Sequence, residues 1–540
     1  MNSFTPLAKE YLQTVWQLDP VRATGLGITT YDHLLTDYSP DGWQHSEQLR
    51  KNLLSRFEDL EEEQLSPPDR IDLAIILAEL RDSLAEYELK APQRAPYLYS
   101  ETLGQALSGI MDRPGTSREE QAESLLARLD LIPGFLQQAR KTLEFSAVPP
   151  LWNQLGQISS RGLLVFLGET VPSFAQTTAS PLPLETAASQ AREAVEQYER
   201  FLQEKQRGAQ GHFPVGKDFF NHRLKTMFMV NMDAQELLEF GEEQLKRAQE
   251  ALAAVARDLD PTRPWEELME GIKDHHPTAE QLLASYAHEV QRAEAFVREQ
   301  ELVSIPQGAE CTVAPIPEYQ RATTPLGNMA TTAPFEPGLK STLRITPIDL
   351  TAPPERQREH LRDNNYAFQR SIALHEAYPG HHLQLVHHKL FPSEVRKNFT
   401  TPLFVEGWGL YTEEMMWETG FLNTPELRLM QLKNVLWRAV RVLVDTGLHT
   451  RGLSYEEGLQ LMMEKVRMEG HMAQGEVSRY TTHQSATYTS SYLLGKALIM
   501  ELREEYQAKM GPQFRLKEFH DRLLSYGSIP VPLVRQEMLA

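Results

Sequence analysis

The sequence predicts a mainly α-helical fold with one small β element. Three segments, beginning at Ala191, Asp233 and Thr278, repeat their apolar residues every three or four positions, the spacing of one buried helix face. No alternation of strands with helices is visible along the chain. The 540 residues are 41% hydrophobic and 24% charged, which is the composition of a globular protein, and the length allows a large core.

Each of these helices has a predicted start or a predicted buried face. Asp233 is a suitable N-cap for the second helix, and Glu236 completes a capping box three residues later. Thr278 and Gln281 have the same spacing at the start of the third helix. The apolar faces comprise Ala194, Val195, Tyr198, Phe201 and Leu202 in the first helix, Leu238, Leu245, Ala248, Leu252 and Val255 in the second, and Leu282, Tyr286, Val290, Ala293 and Val297 in the third.

A proline-rich segment between Ile305 and Glu355 interrupts the helical pattern. Long helices cannot cross it, because proline lacks a backbone N–H and clashes with the preceding turn. Within the segment, residues 342–346 alternate in polarity between Gly338 and Pro347, which predicts one short strand. The prolines are Pro306, Pro315, Pro317, Pro325, Pro334, Pro337, Pro347, Pro353 and Pro354.

This segment is the predicted boundary between two halves of the chain. Residues 1–304 form a predicted N-terminal helical half. Residues 305–540 form a second half that carries the chemistry, with the proline-rich part 305–355 at its start. The alternative is that both halves belong to one continuous two-lobed domain.

The charge balance is acidic and narrows the range of partners. The chain has 54 lysines and arginines against 74 aspartates and glutamates, a net charge of -20, so we expect neither a nucleic acid nor a membrane as a partner.

Residues 1–11 lack the basic and apolar regions of a signal peptide, and no apolar run could span a membrane, so we expect a cytoplasmic protein. Cys311 is the only cysteine and cannot form an internal disulfide.

Five of the 17 histidines are concentrated between positions 375 and 388. The segment His375-Glu376-Ala-Tyr-Pro379-Gly380-His381 resembles the zincin motif H-E-x-x-H, but a proline occupies the position of the second histidine. On a straight helix His381 would lie about 9 Å along the axis from His375, too far to share a metal ion. Because Pro379 and Gly380 permit a bulge, we expect two residues to loop out and His381 to become the second ligand, with His382 as the alternative.

A catalytic zinc site needs a third protein ligand and one position for water. Glu406 is the best candidate, because it lies 25 residues after His381 at the predicted start of another helix. The predicted cofactor is therefore Zn²⁺, held by two histidines and a glutamate as in gluzincin peptidases. In this arrangement Glu376 would be the general base that takes a proton from the metal-bound water.

Further motifs along the chain carry a resemblance to one family. They read D-P-V-R-A-T-G-L-G-I-T-T-Y-D (19–32), H-E-A-Y-P-G-H-H (375–382), E-G-W-G-L-Y-T-E (406–413), V-D-T-G-L-H (444–449), E-V-S-R-Y (476–480), S-Y-L-L-G-K (491–496) and F-H-D-R-L-L-S-Y-G-S-I-P-V-P-L (519–533). Together they resemble the bacterial family known as domain of unknown function 885. The resemblance covers nearly the whole chain and implies a large helical, zincin-like metallopeptidase fold, similar in plan to thimet oligopeptidase and carboxypeptidase Taq, with a small β element near the active-site cleft.

The resemblance also suggests residues that stabilise an oxyanion or bind a substrate carboxylate. His449, Arg479 and Tyr492 each lie in one of these motifs and can each donate a hydrogen bond. Asp445, one helical turn before His449, is expected to orient that imidazole or a metal-bound histidine. Relatives often carry Pro and Gln after the R-Y pair, whereas this chain reads T-T-H-Q-S-A-T-Y from 481 to 488, so we expect a different pocket wall there.

Three functions remain open from the sequence. The first is a zinc peptidase that cleaves short peptides, with the strand around Leu343 aligning the substrate through its main chain. The second is a zinc hydrolase of a non-peptide amide or a modified amino acid. The third is a non-catalytic peptide-binding scaffold. If the protein is an exopeptidase, Arg479 or Lys496 could bind a terminal carboxylate.

Overall fold

The computed structural model describes residues 4–316, 321, 324 and 326–540, and it confirms the mainly helical prediction. The chain divides into two compact units. The first contains residues 4–213 and 332–337, and the second contains residues 214–316, 326–331 and 338–540.

The first unit is built from ten α-helices among its described residues. They are α1 (Phe4–Leu18), α2 (Pro20–Gly25), α3 (Pro40–Glu58), α4 (Pro67–Glu88), α5 (Ala91–Arg94), α6 (Pro96–Met111), α7 (Arg118–Thr142), α8 (Pro150–Val165), α9 (Val171–Ala175) and α10 (Pro181–Lys205). Helix α10 contains the first predicted apolar face, and Ala191, Val195, Tyr198 and Leu202 are fully buried in it.

The second unit contains the remaining helices and the strands. The helices are α11 (Lys217–Thr226), α12 (Ala234–Leu259), α13 (Trp265–Lys273), α14 (Leu282–Glu299), α15 (Pro354–Asp363), α16 (Tyr366–Ile372), α17 (His381–Lys389), α18 (Glu394–Asn398), α19 (Pro402–Glu418), α20 (Pro425–Thr450), α21 (Tyr455–Val466), α22 (Gly470–Tyr480), α23 (Ser491–Met510), α24 (Leu516–Leu524) and α25 (Val531–Leu539). The strands are β1 (Glu310–Pro315), β2 (Gly327–Thr331) and β3 (Lys340–Ile345).

The predicted helix starts are confirmed for α12 and shifted for α14. Asp233 and Glu236 form both hydrogen bonds of a capping box at the start of α12. Helix α14 begins at Leu282 instead of Thr278, because residues 278–281 form a separate turn closed by the bond from Gln281 N–H to the Thr278 carbonyl. Both helices pack inside the second unit, α12 along α20 and α14 against α16, so the change of unit after Phe213 precedes the boundary predicted at residue 305.

The proline-rich segment forms three strands where one was predicted. Strand β3 lies between β1, which is parallel to it, and β2, which is antiparallel. Leu343 is paired with Val313 on one side and Met329 on the other. The expectation that the strand around Leu343 aligns a peptide is therefore wrong, because the hydrogen-bonding groups on both of its edges are already used.

In the first unit, the motif 19–32 has a structural role. The Asp19 carboxylate accepts a hydrogen bond from the Arg22 N–H at the start of α2. Asp32 is buried, accepts a hydrogen bond from the Thr24 hydroxyl at 2.7 Å and forms an ion pair with Arg113. These contacts satisfy buried charges within this unit.

Among the described residues, no helix is both long and apolar enough to cross a membrane.

Candidate metal centre

His375 is held in a wide helical turn. Helix α16 begins after Asn365, whose side-chain oxygen accepts the Phe368 N–H at 3.0 Å. It continues directly into a π-helical turn, Ala373–Ala377, in which each hydrogen bond spans one more residue than in an α-helix. His375 lies in this turn and is 6% exposed.

Gly380 makes the turn that brings His381 back to His375. The π-helical turn ends at Ala377, and α17 begins at His381, so the predicted bulge is a break between two helices. A Cβ on Gly380 would overlap the carbonyl oxygen of His375, so no larger residue fits here. The two imidazole rings lie 4.8 Å apart, centroid to centroid, and are perpendicular.

Glu406 reaches the same point from helix α19. This helix crosses α23 so closely that a Cβ on Gly407 would lie 2.6 Å from the Cα of Gly495. Two residues later, a Cβ on Gly409 would lie 2.9 Å from Nε2 of His375 and 3.1 Å from Cε1 of His381. Because glycine has no Cβ, Gly407 allows α19 to approach α23, and Gly409 leaves room for both imidazoles.

The three side chains are close enough together to be a candidate zinc site. The potential ligand atoms of His375, His381 and Glu406 all lie within 4.8 Å of one another, the only such group among the described histidines, cysteines and acidic residues. Nε2 of His381 is 3.4 Å from Oε2 of Glu406. Two ligands of a tetrahedral zinc ion with bonds of ~2.1 Å are separated by about 3.4 Å. Two histidines and one carboxylate also form the donor set of a catalytic zinc site with an open position.

The local electrostatic field favours a cation at this point. Burial opposes a charge on His381, but the hydrogen bond and charge of Glu406, together with the charge of Glu376, raise the His381 pKa to about 9. Burial likewise opposes a charge on Glu406, but its contacts with His381 and Tyr488 lower its pKa to about 2. The carboxylates of Glu406 and Glu376 therefore stabilise a positive charge at this point. Either a proton on His381 or a metal ion can supply that charge.

Glu413 orients His375 through the ring nitrogen that faces away from the site. This role was not predicted from the sequence. Its Oε1 accepts a hydrogen bond from Nδ1 of His375 at 2.8 Å, which leaves Nε2 free to face Gly409. Its Oε2 accepts a hydrogen bond from the amide of Asn434 at 3.0 Å. A carboxylate that fixes the tautomer in this way is common behind metal-bound histidines. The available signal was its spacing, since Glu413 follows Glu406 by two helical turns on the same face.

Two tyrosines cover the other side of Glu406. Tyr488 donates its hydroxyl hydrogen bond to Oε1 of Glu406 at 2.7 Å, and the predicted Tyr492 lies with its hydroxyl 3.4 Å from that of Tyr488. Tyr488 was also missed, because it lies in the segment that departs from the family pattern. The buried Asp445 holds this segment by accepting hydrogen bonds from Thr487 N–H and from Ser490.

The structure corrects two predicted roles. Asp445 does not orient His449, because its carboxylate binds the turn before α23. His449 cannot donate to an oxyanion: its Nε2 contacts the Tyr480 carbonyl at 2.8 Å and its Nδ1 accepts the Val215 N–H at 3.4 Å. Burial lowers the His449 pKa to about 4, so the ring is neutral with both nitrogens in use.

The remaining predicted residues have mixed environments. Glu376 is half-buried beside His375, and no described residue forms a hydrogen bond or ion pair with it, so its carboxylate is available to a substrate or water.

Arg479 is paired with Glu476 at 3.1 Å, and Lys496 is paired with Glu414 at 2.8 Å. His382 contacts the hydroxyl of Ser341 at 2.7 Å, so it fastens α17 to β3 while His381 faces Glu406.

The fold and the site define a mainly helical protein with a His-His-Glu group in its second unit. The chain belongs to the bacterial family of unknown function DUF885, whose model matches residues 20–538. No curated protein matches the sequence. The family assignment confirms the resemblance drawn from the motifs. Because the family has no known function, the assignment does not give this chain an activity.

Two solved structures have the same fold. A candidate lipoprotein of unknown function from Shewanella oneidensis superposes with a TM-score of 0.83 at 24% identity, over 100% of both chains. A candidate lipoprotein from Colwellia psychrerythraea gives a TM-score of 0.84 at 18% identity, over 100% of this chain and 99% of the other. The lipoprotein descriptions lend no support to the cytoplasmic location expected from the sequence.

Proposed function

We propose that this protein is a zinc-dependent hydrolase of peptide bonds in short peptides, with a gluzincin-like site in a helical, zincin-like fold. The convergence of His375, His381 and Glu406 within 4.8 Å carries the proposal, because the three residues come from separate elements. The hydrogen bond between the buried Glu413 carboxylate and His375 also supports the proposal. Histidines that were simply exposed to water would not require a buried carboxylate to orient them.

In this proposal His375, His381 and Glu406 hold the metal. A zinc ion bound there would act as a Lewis acid on the scissile carbonyl and lower the pKa of bound water. Glu376 is next to the first ligand and has no partner among the described residues. It takes a proton from the water and passes it to the leaving amine, the step that general acid–base catalysis requires.

The Tyr492 hydroxyl is the best candidate for stabilising the oxyanion. Burial and the neighbouring Glu406 raise the pKa values of Tyr488 and Tyr492, so both hydroxyls keep their protons. In the peptide complex Tyr492 donates to the developing oxyanion, while Tyr488 holds Glu406 in place. Of the three donors predicted from the sequence, His449, Arg479 and Tyr492, the proposal keeps Tyr492 in this role.

Metal analysis and a substrate screen test the proposal. Protein purified without a chelator or a histidine tag should contain about one zinc ion per chain, and His381→Ala should lose it. The loaded protein should hydrolyse members of a short-peptide library, and Glu376→Gln should lose hydrolysis while retaining zinc. Glu418→Gln, on the exposed end of α19, is the matched control.

Two outcomes would overturn the proposal in different ways. Zinc-loaded protein that cleaves acylated amino acids and no peptides would be a hydrolase of the second class considered from the sequence. Wild-type protein that binds no zinc even when zinc is supplied, but does bind peptides, would be a non-catalytic scaffold.

A further inference from the structure

Arg438, a half-buried arginine next to the candidate site, has N–H groups without a hydrogen-bond partner among the described residues. Nε and Nη1 of Arg438, on α20, are shielded from solvent and have no hydrogen-bond partner within the described parts of the chain. A guanidinium stays charged in proteins, and burying its N–H groups without an acceptor is costly. An anion bound at Arg438 would remove this cost.

Arg441, three positions later on the same helix, does have hydrogen-bond partners for its guanidinium. Its Nε donates to the Tyr480 hydroxyl at 2.7 Å, and its Nη2 donates to Glu476 at 2.7 Å. Both guanidinium carbons lie 4.4 Å from the Trp437 ring. The two side chains share their aromatic surroundings, but only Arg441 has a carboxylate.

The carboxylates that could serve Arg438 are already occupied. Glu413 accepts hydrogen bonds from His375 and Asn434. Glu476 accepts hydrogen bonds from Arg441, Arg479 and Tyr480. Burial, followed by repulsion from Arg441, lowers the pKa of Arg438, which agrees with the lack of a strong anionic partner.

Arg438 borders the metal group through two short chains of contacts. Asn434 lies one helical turn before it on α20 and is bonded to Glu413, the partner of His375. The Arg438 guanidinium carbon is also 5.6 Å from the ring of Tyr492, which leads through Tyr488 to Glu406. On each route two side chains separate Arg438 from a proposed metal ligand.

We propose that Arg438 binds the C-terminal carboxylate of the peptide, so that the enzyme is an exopeptidase acting from the C-terminal end. This inference rests on the proposed peptidase function. At the end of the planar guanidinium, Nη1 and Nη2 present two N–H groups in parallel, which match the two oxygens of a carboxylate. Arg479 and Lys496, the candidates from the sequence, already have carboxylate partners.

The test compares a library of N-acetylated tetrapeptides made both as free acids and as C-terminal amides. The wild-type, zinc-loaded protein should favour the acids by about 100-fold in kcat/KM, in keeping with a desolvated charged hydrogen-bond pair. Arg438→Gln should remove that preference by lowering the rate with the acids alone. Arg438→Lys should restore part of it, because it keeps the charge but not the paired N–H groups. The exposed Arg247→Gln is the control and should behave as wild type.

Affinity selection of the same library on Glu376→Gln protein, read by mass spectrometry, gives a second measure that needs no hydrolysis. If acids are retained over amides but wild type cleaves neither, the carboxylate site stands and the proposed hydrolysis fails. If wild type cleaves acids and amides equally, the hydrolysis stands and the Arg438 inference is wrong. An Arg438-dependent preference for amidated peptides with internal Asp or Glu would also overturn it, by assigning the arginine to an acidic side chain.

Discussion

Glu413 accepts the Nδ1 hydrogen of His375 over 2.8 Å, from a position two turns beyond Glu406 on the same helix. Helix α19 therefore supplies both a potential ligand and the carboxylate that orients a second one. This contact fixes the His375 tautomer before any ion arrives, so the Nε2 lone pair is already directed at the site.

Replacing Glu413 should weaken metal binding without abolishing it. In Glu413→Gln the amide oxygen can still accept the Nδ1 hydrogen, but the negative charge is lost, so we expect zinc affinity to fall about 10- to 100-fold. Competition with a chromophoric chelator measures this directly. The control is Glu418→Gln, and equal affinities in both variants would contradict a supporting role for Glu413.

A single methyl group on the face of α19 should block the site. In Gly409→Ala the new Cβ would lie within 3 Å of the His375 imidazole and 3.1 Å from that of His381, so the rings must move apart. We expect zinc to be lost while the helical circular dichroism spectrum is retained. Gly271→Ala is the matched control, because that helical position has nothing within 4 Å of an added Cβ. A Gly409→Ala protein with a full zinc content would refute the arrangement of the rings.

The Tyr488 hydroxyl should matter more for turnover than for metal content. Tyr488→Phe removes the donor to Oε1 of Glu406, so this carboxylate loses a buried partner and its orientation loosens. We expect kcat to fall about tenfold or more, with zinc affinity changing only a few-fold. The exposed Tyr366→Phe should match the wild type in both measurements. A complete loss of zinc in Tyr488→Phe would show that the hydroxyl is needed for binding itself.

Protein stability should fall on the acid side of neutrality because of buried neutral histidines. Burial lowers the pKa values of His449 and His520 to about 4, below the usual unfolded value of about 6.5. The stability that each neutral ring contributes is complete above about pH 6.5 and is lost as the pH falls towards 4. At pH 5 the loss is about 2 kcal/mol for each ring.

Urea unfolding at pH 7.5 and pH 5.0 measures this effect. His449→Gln should show a smaller decrease in the free energy of unfolding between the two pH values than the wild type. Substitution of the exposed His33 by Gln should leave the decrease unchanged. Equal decreases in all three proteins would mean that these buried rings do not titrate in this range.

Local sequence patterns predicted the parts of the structure that depend on neighbouring residues. The capping box of Asp233 needs only Glu236, three positions away, and Pro379-Gly380 marks the turn that returns His381 to His375. The helical class and the His-Glu cluster followed from patterns of this kind. Glu406 was placed by chemical need, since a zinc site requires a third ligand.

The missed features depend on contacts between distant residues. Strands β1 and β2 are short and form through pairing with β3, which no local pattern reveals. His449 has its ring nitrogens taken by backbone groups of residues 215 and 480, so its local motif misled the assignment. Arg438 stands out only because its neighbours are already paired, and this is known only once every partner is placed.

The glycine contact between α19 and α23 sets a condition for recognising family members that can form the proposed metal site. A Cβ at Gly407 or Gly495 would collide with the backbone of the other helix, and Gly407 directly follows Glu406. A chain could therefore keep His375, His381 and Glu406 and still have a disabled centre after one glycine is replaced. Genome surveys that score only the H-E-x-x-P-G-H signature would count such chains as having the proposed metal site. A search that also requires both glycines would separate them.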